Sequence, residues 1–189
     1  MRTLLALFIL CAACVCAWAQ AATFTEPQFI DRFNARLAKD GQDPVRACKA
    51  RSEGQFICSF AADVFLTTLD EKADITGSIG TERAPTTMIV NMESDAIESI
   101  YLSGDRASPA DLINFTAHLE SLLHTLGPDE SDQTIEDDTL SLGLLRGDED
   151  PTIGMEREVS ARFALIKCLN QPFGVSGGIG CAIKLRHAG

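Results

Sequence analysis

The clearest periodicity in the chain lies between Ser108 and Gly127, where apolar residues recur at alternating three- and four-residue steps. This spacing places apolar side chains on one face of an α-helix. The stripe comprises Leu112, Phe115, Leu119, Leu122 and Leu126. Ser108 and Asp111 predict a capping box at the start, and Gly127 predicts a left-handed C′ residue at the end. Because one wide apolar face has to be covered, the rest of the chain must supply a second layer.

A second amphipathic helix is predicted after Thr25, with its apolar face at Phe29, Phe33 and Leu37. Further along the chain, alternation with a period of two predicts three β-hairpins. The first turns at a three-residue loop, 52–54, with Arg51 opposite Gln55; the second joins 87–92 to 97–102; the third joins 159–168 to 179–185. The apolar residues of 61–84 fit either period, so no element is predicted there.

Short connections between consecutive strands are typical of an antiparallel sheet. We therefore predict an α+β fold of two layers, with an antiparallel sheet of about six strands in three hairpins and two main helices on one face. Removing a leader of 21 residues from the 189 leaves 168, which suits a single domain over residues 22–189.

Residues 1–21 have the pattern of a cleaved signal peptide. Arg2 is followed by an apolar run from Leu4 to Ala17, and small residues predict cleavage after Ala19 or Ala21. One alternative is a retained anchor, for which the run is shorter than the roughly 20 residues that span a membrane. Another is lipidation at Cys14. We expect a periplasmic or secreted protein with no membrane insertion after cleavage.

The cysteines predict a disulfide framework. Three of the seven lie in the predicted signal peptide, and the remaining four are Cys48, Cys58, Cys168 and Cys181. An even number in an oxidising compartment predicts two disulfides. Three connectivities are open to four cysteines, but the hairpin registers place Cys48 opposite Cys58 and Cys168 opposite Cys181. Each bridge is expected to add about 3 kcal/mol of stability by restricting the unfolded chain.

Acidic residues are concentrated in one segment. The chain carries a net charge of −11, and residues 128–150 hold nine acidic residues against one basic residue. This balance argues against binding of nucleic acid or anionic lipid, both of which attract basic residues. We interpret the segment as a mobile, solvated connection. Its carboxylates are the candidate binding residues: Asp129, Glu130, Asp132, Glu136, Asp137 and Asp138.

The sequence contains partial matches to motifs for catalysis and metal binding, but the residues and secondary structure around each match are not those that the motif requires. Residues 174–178 match G-x-S-x-G, but a strand follows them, and no acidic residue follows Ser176. His118 and His124 are six apart, so they lie on different faces of their helix and cannot chelate one metal ion. Residues 148–159 depart from a calcium loop at the sixth and twelfth positions. We therefore predict no catalytic residues, no metal site and no cofactor.

These observations favour an exported, non-enzymatic binding protein. It would be a periplasmic or secreted accessory, or an inhibitor or immunity-type protein, with a partner that presents a basic surface. One alternative is a small secreted hydrolase with an Asp/Glu pair drawn from Asp105, Asp111 or the acidic segment, which requires two convergent carboxylates with separated pKa values. The other is a structural component of the cell envelope, which an exposed apolar patch or a symmetric self-contact would favour.

Overall fold

The computed structural model describes residues 25–60, 86–172 and 178–186. Its elements, in chain order, are α1 (Glu26–Lys39), β1 (Ala47–Ser52), β2 (Gln55–Ser59), β3 (Thr87–Glu93), β4 (Ala96–Gly104), α2 (Pro109–Leu126), α3 (Asp132–Ser141), β5 (Glu156–Ser160), β6 (Ala164–Asn170) and β7 (Ile179–Leu185). The predicted signal peptide, the unassigned segment 61–84 and Ser176 lie outside the described residues.

The seven strands form one antiparallel sheet in the order β1-β2-β3-β4-β7-β6-β5. Two meanders, β1–β4 and β5–β7, meet where β4 pairs with β7. The predicted α+β class and antiparallel sheet are confirmed. The described residues form seven strands where we expected about six, and three helices where we expected two main ones.

The additional strand comes from the segment 159–168, which we predicted as one strand. The structure divides it between β5 and β6, which pair with each other. The residues of the turn include Ala161 and Phe163, and both are buried. Because apolar residues continue through this turn, the alternation of the sequence does not mark it.

The helices cover one face of the sheet. Alternate strand residues are buried on that face, among them Met88, Val90, Ile100, Leu102, Ile166 and Ile183. They form a single hydrophobic cluster with the apolar stripes of α1 and α2. Every member of the stripe predicted for α2 is buried, and so are Phe29, Phe33 and Leu37 of α1. Both predicted amphipathic helices are therefore confirmed.

The two ends of α2 differ in how well the sequence predicts them. Ser108 is the N-cap, and its Oγ accepts a hydrogen bond from the Asp111 N–H at 3.3 Å. The predicted left-handed C′ glycine is wrong, because Gly127 has a φ of −117°. Its lack of a side chain serves packing instead. A Cβ at this position would lie 2.6 Å from the ring of Phe163, which sits just before β6.

The hairpin registers explain where the cysteines meet. Cys48 is paired with Cys58 and Cys168 with Cys181, and each pair forms a disulfide with a Cα–Cα distance of 4.1 Å. The first loop is shorter than predicted. The register shifts between Ala50 and Ser52, so Ser52 pairs with Gln55 instead of Arg51.

Residues 128–150 belong to the folded helical layer, which corrects their interpretation as a mobile, solvated connection. Much of the segment forms α3. Ile135, Leu142 and Leu144 each have 1% of their surface exposed and belong to the hydrophobic cluster. A few buried apolar side chains thus fix a segment whose composition is dominated by charge.

Candidate functional site: the carboxylates around α3

Helix α3 presents its carboxylates because its apolar side is anchored. Ser131 caps the helix, and its Oγ accepts a hydrogen bond from the Thr134 N–H at 3.1 Å. Asp132 in the first turn suits the positive end of the helix dipole. Ile135 and Thr139, which are four residues apart, are buried on one face. The acidic residues therefore occupy the remaining, outward side of the helix.

The six candidate carboxylates differ in exposure and pairing. Asp129, Asp132, Glu136 and Asp137 are exposed, whereas Glu130 and Asp138 are half-buried. Glu130 pairs with Arg162, with a distance of 2.8 Å between Oε1 and Nε. Among the residues that the structure describes, none of the other five forms an ion pair with lysine or arginine. Negative charge is thus left uncompensated along α3.

Asp132 has a histidine partner that does not neutralise it at neutral pH. Its Oδ1 lies 3.5 Å from His124 Nε2. Burial and the nearby charge of Arg36 lower the pKa of His124 below 6.5, although Asp132 and Asp40 oppose the shift. The imidazole is therefore mostly uncharged at pH 7 and contributes little positive charge to this surface.

Like charges surround two carboxyl groups at this site. Burial raises the pKa of Asp138, and Glu130 and Asp137 raise it further. Burial likewise raises the pKa of Glu120 on α2, with added repulsion from Glu136. The negative potential therefore extends from α3 onto α2. We call the exposed carboxylates Asp129, Asp132, Glu136 and Asp137, together with Asp138 and Glu120, the α3 acidic surface.

Asp40, at the end of α1, has a pKa shifted in the opposite direction to those of Asp138 and Glu120. Asp40 Oδ2 accepts hydrogen bonds from Ser121 Oγ and Arg36 Nε, each at 2.6 Å. Burial favours a higher pKa, but these two hydrogen bonds and the arginine charge outweigh it, so the pKa of Asp40 is lowered. Asp40 also contributes to the raised pKa of Glu120. The sequence gives no sign of this pair, because α1 and α2 meet only in the folded protein.

The later carboxylates of the acidic segment are used to hold the backbone. Arg106 has no exposed surface, and its Nη1 donates to Asp148 Oδ1 at 2.9 Å. The same guanidinium donates to the carbonyl oxygens of Gln171 and Arg146. One buried cation thereby joins the start of α2 to the loop before β5 and to the end of β6.

Asp150 is satisfied in the same loop. Its carboxylate accepts hydrogen bonds from the hydroxyl and N–H of Thr152, and from Arg146 Nη1 at 2.8 Å. These contacts lower its pKa to about 2. Asp148 and Asp150 therefore have structural partners, in contrast to the carboxylates of α3.

The remaining candidate catalytic or metal-binding residues are either separated from one another or already hydrogen-bonded. His118 is buried, whereas His124 lies beside Asp132, so the two histidines do not form a joint site. Asp105 Oδ1 accepts a hydrogen bond from the Arg106 N–H, and Asp111 is engaged by Ser108. Within 25–60, 86–172 and 178–186, no group of three His, Cys, Asp or Glu residues is arranged to hold a metal ion.

Comparison with known proteins does not identify a function. No protein-family model, curated protein or solved structure matches the chain. Over the described ranges, no helix combines the length and apolarity that crossing a membrane requires. The feature of the described surface that bears on function is therefore its distribution of charge.

Proposed function

We propose that this protein is an exported, non-enzymatic binding protein, a periplasmic or secreted accessory or an inhibitor or immunity-type protein. It binds a protein partner with a basic surface through the α3 acidic surface. The observation that supports this most is the row of carboxylates on α3 without lysine or arginine partners in the described part of the chain. Such a surface accelerates association with a cationic partner and selects against an anionic one.

The scaffold favours binding because it holds the charges in place before the partner arrives. Ile135 and Thr139 fix α3 on the core, and each meander of the sheet contains one disulfide. A rigid surface loses little conformational entropy on association. A cationic partner would also relieve the repulsion that contributes to the raised pKa values of Asp138 and Glu120.

The proposal is tested by capture from cell-envelope extract at low and high salt. The test variant, Glu136→Gln with Asp137→Asn, removes two exposed charges from α3. The control, Glu93→Gln with Asp95→Asn, removes two exposed charges from the β3–β4 hairpin. We expect the wild type and the control to capture a basic protein at low salt only, and the α3 variant to capture much less. Capture that ignores salt, or that falls equally in both variants, would contradict the proposal.

A second candidate, a small hydrolase with an Asp/Glu pair, has one observation in its favour. Burial raises the pKa of Glu120, whereas hydrogen bonds from Ser121 and Arg36 lower the pKa of Asp40, and an acid–base pair uses such opposite shifts. This pair is not among the carboxylates predicted from the sequence. Assays with esters, glycosides and peptides test this function. Activity that Glu120→Gln abolishes and Glu93→Gln leaves intact would favour the hydrolase. No activity on the panel would leave binding as the better account.

A further inference from the structure

A row of four aromatic rings connects α1, the end of β2 and α2. Phe29 stacks on Phe33 with 5.7 Å between ring centroids. Phe33 meets Phe60 edge to face at 6.0 Å, and Phe60 meets His118 in the same manner at 4.6 Å. His118 is the one member of this row whose ring can acquire a charge. The row therefore ends in a titratable group inside the core.

His118 is held in its neutral form. Only 7% of its surface is exposed. Its Nδ1 lies 2.7 Å from the carbonyl oxygen of Asn114, and because a carbonyl oxygen only accepts, Nδ1 carries the proton and donates. Nε2 is buried and has no partner with hydrogen-bond geometry among the described residues. A proton added at Nε2 would therefore create a buried cation.

The polar groups that act on the ring come from two elements. Asn114 lies on α2 itself, and Asp43 lies between α1 and β1; the Asn114 carbonyl and the backbone and carboxylate of Asp43 favour the protonated ring. Phe60, at the end of β2, and Phe33 of α1 behind it bring no charge. Burial outweighs these influences and lowers the pKa of His118 below 6.5.

We propose that His118 is a proton-sensitive joint: mild acid places a charge on this buried ring and loosens the packing of α2 against Phe60 and the segment 42–46. The inference is independent of the α3 acidic surface. In the unfolded chain the histidine takes up a proton near pH 6.5, whereas in the folded chain it does so only at lower pH. Stability is therefore complete above this pH and is lost as the pH falls, until the folded-state pKa is passed.

A titration of the wild-type protein tests the joint directly. NMR would follow the imidazole signals of His118, His124 and His187 from pH 8 to pH 4.5, assigned with His124→Gln and His187→Gln. We expect His118 to titrate well below pH 6.5. After correction for the intrinsic pH dependence of amide exchange, the opening constants near residues 43–46, 57–60 and 114–119 should rise by up to about tenfold per pH unit as the pH falls below 6.5. Titration of His118 at or above 6.5, or opening constants that do not change with pH, would overturn the proposal.

Three variants separate the effect of His118 titration from the effect of its packing. His118→Phe keeps an aromatic ring without a titratable group, so the decrease in the urea midpoint between pH 7 and pH 5 should be smaller than in the wild type. His124→Gln should retain the part of this decrease that is due to His118. Asp43→Asn removes a charge that favours the imidazolium and so lowers the folded-state pKa of His118 further; the loss should begin at the same pH but continue to lower pH and become larger. If His118→Phe retains the full wild-type pH dependence, the joint is not at His118. If that variant fails to fold, the wild-type titration still decides.

Discussion

Helices α2 and α3 lie in the same layer but differ in what their side chains do. Ten of the 18 residues of α2 are buried, whereas only Ile135 and Thr139 of the ten residues of α3 are buried. Helix α2 is therefore part of the core, whereas α3 is mostly exposed and contacts the core through only two buried side chains. One helix thus contributes mainly to the stability of the core, and its neighbour presents charge to the solvent. Substitutions in the two helices should accordingly separate folding from binding.

The largest effect is expected from Leu119→Ala in the middle of α2. Leu119 has no exposed surface, and removing a fully buried leucine side chain costs about 3 kcal/mol. The control, Ile113→Ala, lies on the same helix with 61% of its surface exposed and should cost almost nothing. Denaturant unfolding of both variants measures the difference. Equal costs would show that α2 is not the core element described.

Ile135→Ala tests whether α3 is anchored. This residue is 1% exposed, and its truncation should cost about 2 kcal/mol, the lower end for a buried isoleucine because α3 lies at the margin of the core. Leu140→Ala, with 54% of the residue exposed on the same helix, is the control. Urea unfolding provides the measurement. An Ile135→Ala variant as stable as the wild type would restore the interpretation of 128–150 as a mobile connection.

Gly127→Ala tests the junction between the two helices. The added methyl group would overlap the ring of Phe163, so we expect a loss of about 1.5 kcal/mol. A double-mutant cycle with Phe163→Leu identifies the cause, because the smaller side chain should recover part of the loss. Additive losses in thermal or urea unfolding would mean that the contact with Phe163 is not responsible.

The smallest effect is expected from Asp138→Asn on α3. The pKa of Asp138 is raised above 3.8, so its ionised form is penalised in the folded state. The penalty grows as the pH rises from 3.8 through the folded-state pKa and is constant above it. At pH 7 the variant should gain up to about 0.5 kcal/mol, with no gain at the lowest pH where the protein remains folded. A loss of stability at pH 7 would instead reveal a favourable contact of the carboxylate.

The parts of the fold that the sequence predicts best are those determined by patterns among residues close together in the chain. The stripe of α2 and the pairing of Cys168 with Cys181 depend on residues within one element or one hairpin. The turn at 161–163 is not predicted, because its buried side chains prolong the apolar pattern of the strands. The anchoring of α3 was missed because Ile135 is a single apolar residue in an acidic run. The contacts of Arg106 and the electrostatic coupling of Glu120 with Asp40 join segments that are distant in the sequence, so no local sequence pattern predicts them.

The salt dependence of affinity tests the central claim that α3 binds a basic partner through its charges. Calorimetric titration of the captured partner would compare the wild type, Glu136→Gln with Asp137→Asn, and Glu93→Gln with Asp95→Asn over a range of salt concentrations. We expect the α3 variant to bind about tenfold more weakly at low salt, equivalent to 1.4 kcal/mol, with a shallower salt dependence, and the hairpin control to match the wild type. The same Kd and the same salt dependence for all three proteins would contradict the claim.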